Sequence, residues 1–189
     1  MTNKIHETKI SRLRKKYNDE VAPFLKKELG LANILACPKL IKVTVNVGTG
    51  KIAKQTDVVE TAGKTLEKIT GQRPVKTLAK KSVASFKVRE GSAIGWKATL
   101  RGNRMYEFVD KLVNVTLARV RDFRGLDPKR FDRQGNYSIG FKEQIVFPEV
   151  SSDSVQLFHG LEVTITTSAK NAKEGLLLLK KLGFPFREN

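Results

Sequence analysis

Hydrophobic and polar positions alternate along this chain in two rhythms, and each predicts a different backbone. From Lys4 to Leu29, Ile10, Leu13, Tyr17 and Phe24 recur at near-helical intervals among charged residues that favour helix. The pattern predicts a helical segment interrupted near Pro23 and ended by Gly30. Lys39 to Val47 changes to alternation rich in β-branched residues. A strand there sends Ile41, Val43, Val45 and Val47 to one face and Lys42, Thr44 and Asn46 to the other. Gly48-Thr49-Gly50 closes it, and Val59, Ala62, Leu66 and Ile69 then return to helical spacing until Gly71 stops them.

The same two-sided design is predicted twice more. In Val83 to Arg89, Ala84, Phe86 and Val88 lie opposite Ser85, Lys87 and Arg89; in Trp96 to Arg101, Trp96, Ala98 and Leu100 lie opposite Lys97, Thr99 and Arg101. A helix is expected from about Asn103, with Met105, Phe108, Leu112 and Val115 on one side, followed by a loop-rich stretch through Gly125, Pro128 and Gly135. Ile139 to Phe147 and Leu161 to Thr167 read as strands, and a last helix carries Ala172, Leu176 and Leu179 before Gly183 and Pro185. No internal repeat interrupts this order. The expected fold is α+β: a two-layer sandwich in which a mainly antiparallel sheet carries helices on one face and leaves a polar, basic face open. At 189 residues the chain suffices for one well-buried core, so residues 1–189 are read as one domain, with 1–37 a helical extension and 38–189 the α+β core.

Charge narrows the function. A formal charge of +17 and a pI near 10.1 create a field of one sign that gathers polyanions, nucleic acid first and an anionic membrane second. No apolar run approaches the roughly 20 residues of a membrane span, and the N-terminus lacks the apolar core of a signal peptide, so a soluble intracellular protein is expected. Residues 1–102 hold 22 Lys/Arg against 8 Asp/Glu, and residues 103–189 hold 14 against 11, which puts the polyanion-facing chemistry mostly in the first half.

Catalytic and metal chemistry find little support. Cys37 is the single cysteine, read as a small semi-buried residue before Pro38, and with only His6 and His159 beside it no metal-ligand spacing exists. Gly48-Thr49-Gly50-Lys51 invites comparison with a phosphate-cradling loop, but that motif needs Gly at 45 and Ser or Thr at 52, where Val45 and Ile52 stand. A tight turn that also touches an RNA phosphate is the better reading. Neither histidine sits in a nucleophile or base motif, so no enzyme, cofactor or metal is expected.

The strongest chemical signal is the run Gln72 to Arg104. It carries Arg73, Lys76, Lys80, Lys81, Lys87, Arg89, Lys97, Arg101 and Arg104 against one acid, Glu90. Several of these fall on the polar side of predicted strands or in the connection from Arg89 to Gly95. A sheet face with basic and amide side chains contacts phosphates, ribose hydroxyls and base edges together. It lacks the Phe/Tyr pairs of a base-stacking sheet, so recognition of folded RNA by shape and backbone is expected. Trp96 falls on the apolar side and is assigned to the core.

At the level of whole segments the chain resembles the large-subunit ribosomal protein five family, which binds 5S ribosomal RNA. The resemblance rests on Val45-Asn46-Val47-Gly48-Thr49-Gly50, on Ile69 to Gly91 (ITGQRPVKTLAKKSVASFKVREG) and on Lys97 to Leu112 (KATLRGNRMYEFVDKL). RDFRGL from Arg121, GNYSIGFKEQIVFPE from Gly135 and LGFPF from Leu182 extend it, in order, from about Pro38 to the C-terminus. It implies residence in the central protuberance of the large subunit, in the cytoplasmic or an organellar ribosome. The implied partners are 5S rRNA, P-site tRNA, large-subunit rRNA, neighbouring central-protuberance proteins and, across an intersubunit bridge, a small-subunit head protein.

The resemblance assigns 5S rRNA contacts to Lys42, Asn46, Gln72 and Thr99, of which strand alternation independently places Lys42, Asn46 and Thr99 on one polar face; Lys97 and Arg101 join them by the same alternation. The segment from about Ala79 to Gly95, with Lys80, Lys81, Ser82, Lys87 and Arg89, matches the loop that reaches toward P-site tRNA. Ser92-Ala93 stands where the family usually has Met-Pro, Asp132-Arg133-Gln134 replaces a more glycine-rich turn, and Ala118 stands where proline is common. Two rivals remain open: an RNA chaperone outside the ribosome, which would not prefer 5S rRNA, and an RNA-modifying enzyme, which would need a cofactor pocket.

Overall fold

The computed structural model describes residues 10–50, 56–86, 88–150 and 158–187, with the side chains of 56–58 set aside. The expected helical content of Lys4 to Lys9, the contacts of His6 and Lys51, and the side chain of Lys87 lie outside the described residues.

Five strands form one antiparallel sheet: β1 (Leu40–Gly48), β2 (Val75–Leu78), β3 (Ala93–Leu100), β4 (Tyr137–Phe141) and β5 (Leu161–Thr167), in the spatial order β2-β3-β1-β5-β4. The helices are α1 (Arg12–Lys16), α2 (Ala22–Glu28), α3 (Thr56–Thr70), α4 (Gly102–Lys111) and α5 (Ala172–Leu182). Val43, Val45 and Val47 of β1, Ala98 and Leu100 of β3, and Val163 and Ile165 of β5 join Leu66, Val109, Leu112, Leu178 and Leu179 of the helical layer in one core. The sheet's inward side chains are therefore covered by helices, and its other face is open, as the alternation requires.

Trp96 packs on the helical side. Its indole Nε1–H donates to the Val59 carbonyl at 2.6 Å, and a Cβ on Gly63 would collide with its ring, so α3 approaches β3 closely at that glycine. Cys37 is fully buried and not half-buried; its thiol donates to the Ala22 carbonyl.

Several expectations are corrected. Val83 to Arg89 is not a strand: Ala84–Phe86 form a 3-10 turn, Val83 and Val88 exchange backbone hydrogen bonds across it, and Phe86 is 77% exposed instead of core-facing. The alternation there has no partner strand to bury it. The strand in this region is Val75–Leu78, a short edge with little burial on either side and hence no legible alternation. Ile41 points to solvent because the pairing of β1 with β5 slips at a bulge between Leu40 and Lys42, which passes the inward position to Leu40. Ile10 is exposed and precedes the first helix. The expected interruption near Pro23 is a π turn, Tyr17–Val21, just before it. A second π turn, Leu112–Thr116, adds a residue after α4, so Thr116 and Leu117 are buried where Val115 was expected, and Val115 is exposed. Ile139 to Phe147 shortens to β4, which begins at Tyr137 and ends at Phe141; Gln144–Val146 is a 3-10 turn. Leu176 is half-buried while Leu178, Leu179 and Leu182 carry the core face of α5.

Two buried tyrosines give the core an alkaline limit. The Tyr17 hydroxyl donates to the Pro38 carbonyl and that of Tyr137 to the Asp127 carbonyl, and burial above all pushes both groups up to about 12. In the unfolded chain they ionise near pH 10, so between pH 10 and 12 the unfolded state releases protons that the fold retains. Stability is expected to be unaffected by these groups below pH 10 and to fall above it by about 1.4 kcal/mol per pH unit for each tyrosine. Urea midpoints at pH 9, 10 and 11 test this. The Tyr17→Phe/Tyr137→Phe double variant should show a shallower decline, and an equal decline would refute the assignment.

Candidate nucleic-acid interface

The open face is built from side chains that the register lines up in rows. Asn46 lies directly opposite Lys97 of β3 on one side and Glu162 of β5 on the other, and the row continues to Val75 at one edge and Gly140 at the other. The next row is Thr99, Thr44, Thr164 and Ser138, four hydroxyls across four strands, with Ser138 and Thr164 hydrogen-bonded at 3.0 Å. Lys42 lies beyond, opposite Thr166. Direct cross-strand neighbours stand about 5 Å apart, so these groups present one continuous surface.

This surface collects Lys42, Asn46, Lys97 and Thr99 as expected. Gln72 reaches it from the turn that follows Gly71: its side-chain N–H donates to the Thr99 carbonyl at 3.1 Å, and Thr70 Oγ1 donates to Gln72's own carbonyl at 3.1 Å. The amide thus continues the β3 edge past the point where β2 ends, and its side-chain oxygen remains as an acceptor. Arg101 is exposed at the end of β3, where it occupies the N-cap position of α4. The centre of the face is richer in hydroxyl and amide groups than the sequence led one to expect, with charge confined to Lys42, Lys97 and Glu162. Lys76 departs from the basic face: its ammonium lies over the Trp96 ring at 5.2 Å and 3.7 Å from Glu60, on the helical side. Thr164, Thr166, Ser138 and Glu162 were missed. The alternation of Leu161 to Thr167 predicts three of them, since inward Leu161, Val163 and Ile165 leave Glu162, Thr164 and Thr166 outward.

The segment between β2 and β3 is a braced hairpin. Ala79 and Ser92 are joined by a backbone bond, Gly91 donates to Ala79, and the Ser82 hydroxyl accepts the Glu90 N–H at 2.9 Å. Ser82 is therefore a loop brace by geometry. Lys80, Lys81 and Arg89 are exposed on the hairpin, together with Phe86 at the tip. Such a projection offers cations and one aromatic face to a distant polyanion.

A shape of this kind, with hydrogen-bonding groups across a sheet and cations at its margins, suits folded RNA more than a small molecule. Comparison with known families agrees with it. Residues 33–89 match the family described as Ribosomal protein L5, and residues 93–186 match the model of that family's C-terminus.

Proposed function

Since this chain belongs to the ribosomal protein L5 family, and so serves as an RNA-binding structural component of the large ribosomal subunit, we propose that its open sheet face attaches 5S rRNA. The observation that carries this reading is the convergence of Lys42, Asn46, Gln72 and Thr99 on one surface from three separate parts of the chain. Lys97 and Arg101 add charge at its margin. The braced hairpin from Ala79 to Ser92 is proposed to reach P-site tRNA through Lys80, Lys81 and Arg89, with Lys87 in the same segment. In the same reading the protein sits in the central protuberance beside large-subunit rRNA and neighbouring proteins, and bridges to a small-subunit head protein.

The direct test is filter binding at physiological salt to 5S rRNA and to a size-matched control RNA. Clear preference for 5S rRNA is expected; equal affinity for the two would instead identify a general RNA chaperone.

The hairpin has a test of its own. Lys80→Ala, Lys81→Ala and Arg89→Ala are each expected to flatten the slope of log K against log salt by roughly one unit or less, the signature of one lost phosphate contact. Binding is followed with 5S rRNA and with P-site tRNA on reconstituted ribosomes. Wild-type slopes with both RNAs would remove the hairpin from the RNA interface.

A further inference from the structure

Glu162 is the one acidic side chain on the open face of the described strands, in a protein of net charge +17, and it stands beside Asn46 in the centre of that face. It is exposed, and among the described residues it takes part in no ion pair. Lys97 lies beyond Asn46, two strand spacings or roughly 10 Å away. A phosphate placed here would meet a carboxylate. A carboxylate held against RNA is stabilised only where it accepts hydrogen bonds; each ribose offers a single O–H, whereas a base edge can present two donors side by side, matching both carboxylate oxygens.

The other neighbour of Glu162 is Gly140. It has no side chain, and a Cβ built there meets nothing within 4 Å, so a notch opens beside the carboxylate on the RNA-facing side. Across the row the surface reads cation at Lys97, amide at Asn46, carboxylate at Glu162, then empty space at Gly140.

We propose that Glu162, Asn46 and the Gly140 notch form a reader for one unpaired guanine, which makes Glu162 a specificity-determining residue of this face. Guanine alone presents two adjacent donors, N1–H and the N2 amino group, with an acceptor, O6, next to them. The carboxylate accepts from both donors in bidentate fashion, and the Asn46 amide donates to O6. Cytosine and adenine each offer one amino group beside a ring-nitrogen acceptor, and uracil offers one N–H flanked by two carbonyls, so each would turn a lone pair toward the carboxylate. The inference rests on the reading of this face as the 5S rRNA site.

Three measurements test it on the full chain. Glu162→Gln removes the second acceptor and the charge without changing shape. It is expected to weaken 5S rRNA binding by about five- to 150-fold, the discrimination one bidentate pair carries. Control RNA, which feels only the lost repulsion, should bind equally or more tightly. Gly140→Val fills the notch and is expected to lower 5S rRNA affinity with an unchanged melting temperature and salt slope. Finally, 5S rRNA carrying inosine at random guanosine positions lacks single N2 amino groups; wild-type protein should exclude transcripts with inosine at one unpaired position, and Glu162→Gln should not.

Tighter binding of both RNAs by Glu162→Gln would make the carboxylate a mere repulsive surface charge and overturn the proposal, as would the same inosine pattern in both proteins. Asn46→Ala and Thr99→Val separate the two levels. If they bind 5S rRNA like wild type, the face itself is not the site and both readings fall; if they weaken it while Glu162→Gln acts alike on both RNAs, the guanine reader alone falls.

Discussion

Replacing Gly135 by alanine is expected to lower the melting temperature by roughly 5 to 20 °C, at a conversion of about 2–4 °C per kcal/mol for a chain of this size. Gly135 holds φ +76°, which costs an L-residue about 1–2 kcal/mol. An added Cβ would also stand 2.6 Å from the Asn171 carbonyl oxygen and 2.7 Å from the Ala169 Cβ. Neither obstacle moves freely. Asn171 is the N-cap of α5, accepting the Glu174 N–H at 2.9 Å while the Glu174 carboxylate accepts the Lys170 N–H, and the Thr167 hydroxyl ties the Gly135 carbonyl to the end of β5. Overpacking against such a joint costs about 1–3 kcal/mol more. The sum, about 2–5 kcal/mol, is a large part of the 5–15 kcal/mol that domains possess. Gly140→Ala is the control: its Cβ meets nothing, and its melting temperature should match wild type. A Gly135→Ala melt within about 2 °C of wild type would show that the turn after Asp132 yields at little cost.

Which features the sequence disclosed follows from whether the governing interaction is local. β5 matches its expected range, Leu161 to Thr167, because inward Val163 and Ile165 and outward Glu162 and Thr164 alternate without interruption. The helix ends at Gly71 and Gly183 were equally legible, since a positive φ at a terminating glycine is a one-residue signal. Where two-residue periodicity occurs without burial, as from Val83 to Val88, the pattern misleads, because only a partner strand turns alternation into two faces. Bulges and π turns add one residue to a regular element and shift everything beyond them. That is how Ile41 and Val115, hydrophobic and in phase on paper, reach solvent. The strand order β2-β3-β1-β5-β4 pairs segments far apart in sequence and leaves no local mark. For the same reason the alternation placed Asn46 and Thr99 on the polar side of their strands, but it could not seat Glu162 next to Asn46; that adjacency is a product of register.

Register also sharpens the second large effect, the loss of 5S rRNA binding in Asn46→Ala and Thr99→Val. Both side chains project from strands whose opposite faces, Val45 and Val47 for one and Ala98 and Leu100 for the other, are fully packed, so neither change opens a core cavity. The Thr99 carbonyl accepts from the Gln72 amide, a bond that does not use the Thr99 side chain, and the residue keeps its place opposite Thr44 through the register of β3 on β1. Valine is thus accommodated in the strand at near-native stability, while the hydroxyl is removed from the row it shares with Thr44, Thr164 and Ser138. Each variant is expected to lose about 1–3 kcal/mol of binding free energy, because an RNA group that paired with the side chain is left buried without a partner. Both side chains are uncharged, so no counterion is released on their account: log K should fall by the same amount at every salt concentration, with the slope unchanged. This separates them from Lys80, Lys81 and Arg89 on the hairpin, whose effects should appear in the slope. Salt series on each variant beside thermal melts decide the matter. Wild-type affinity in both, or melting temperatures that collapse in step with binding, would remove 5S rRNA from this face of the sheet.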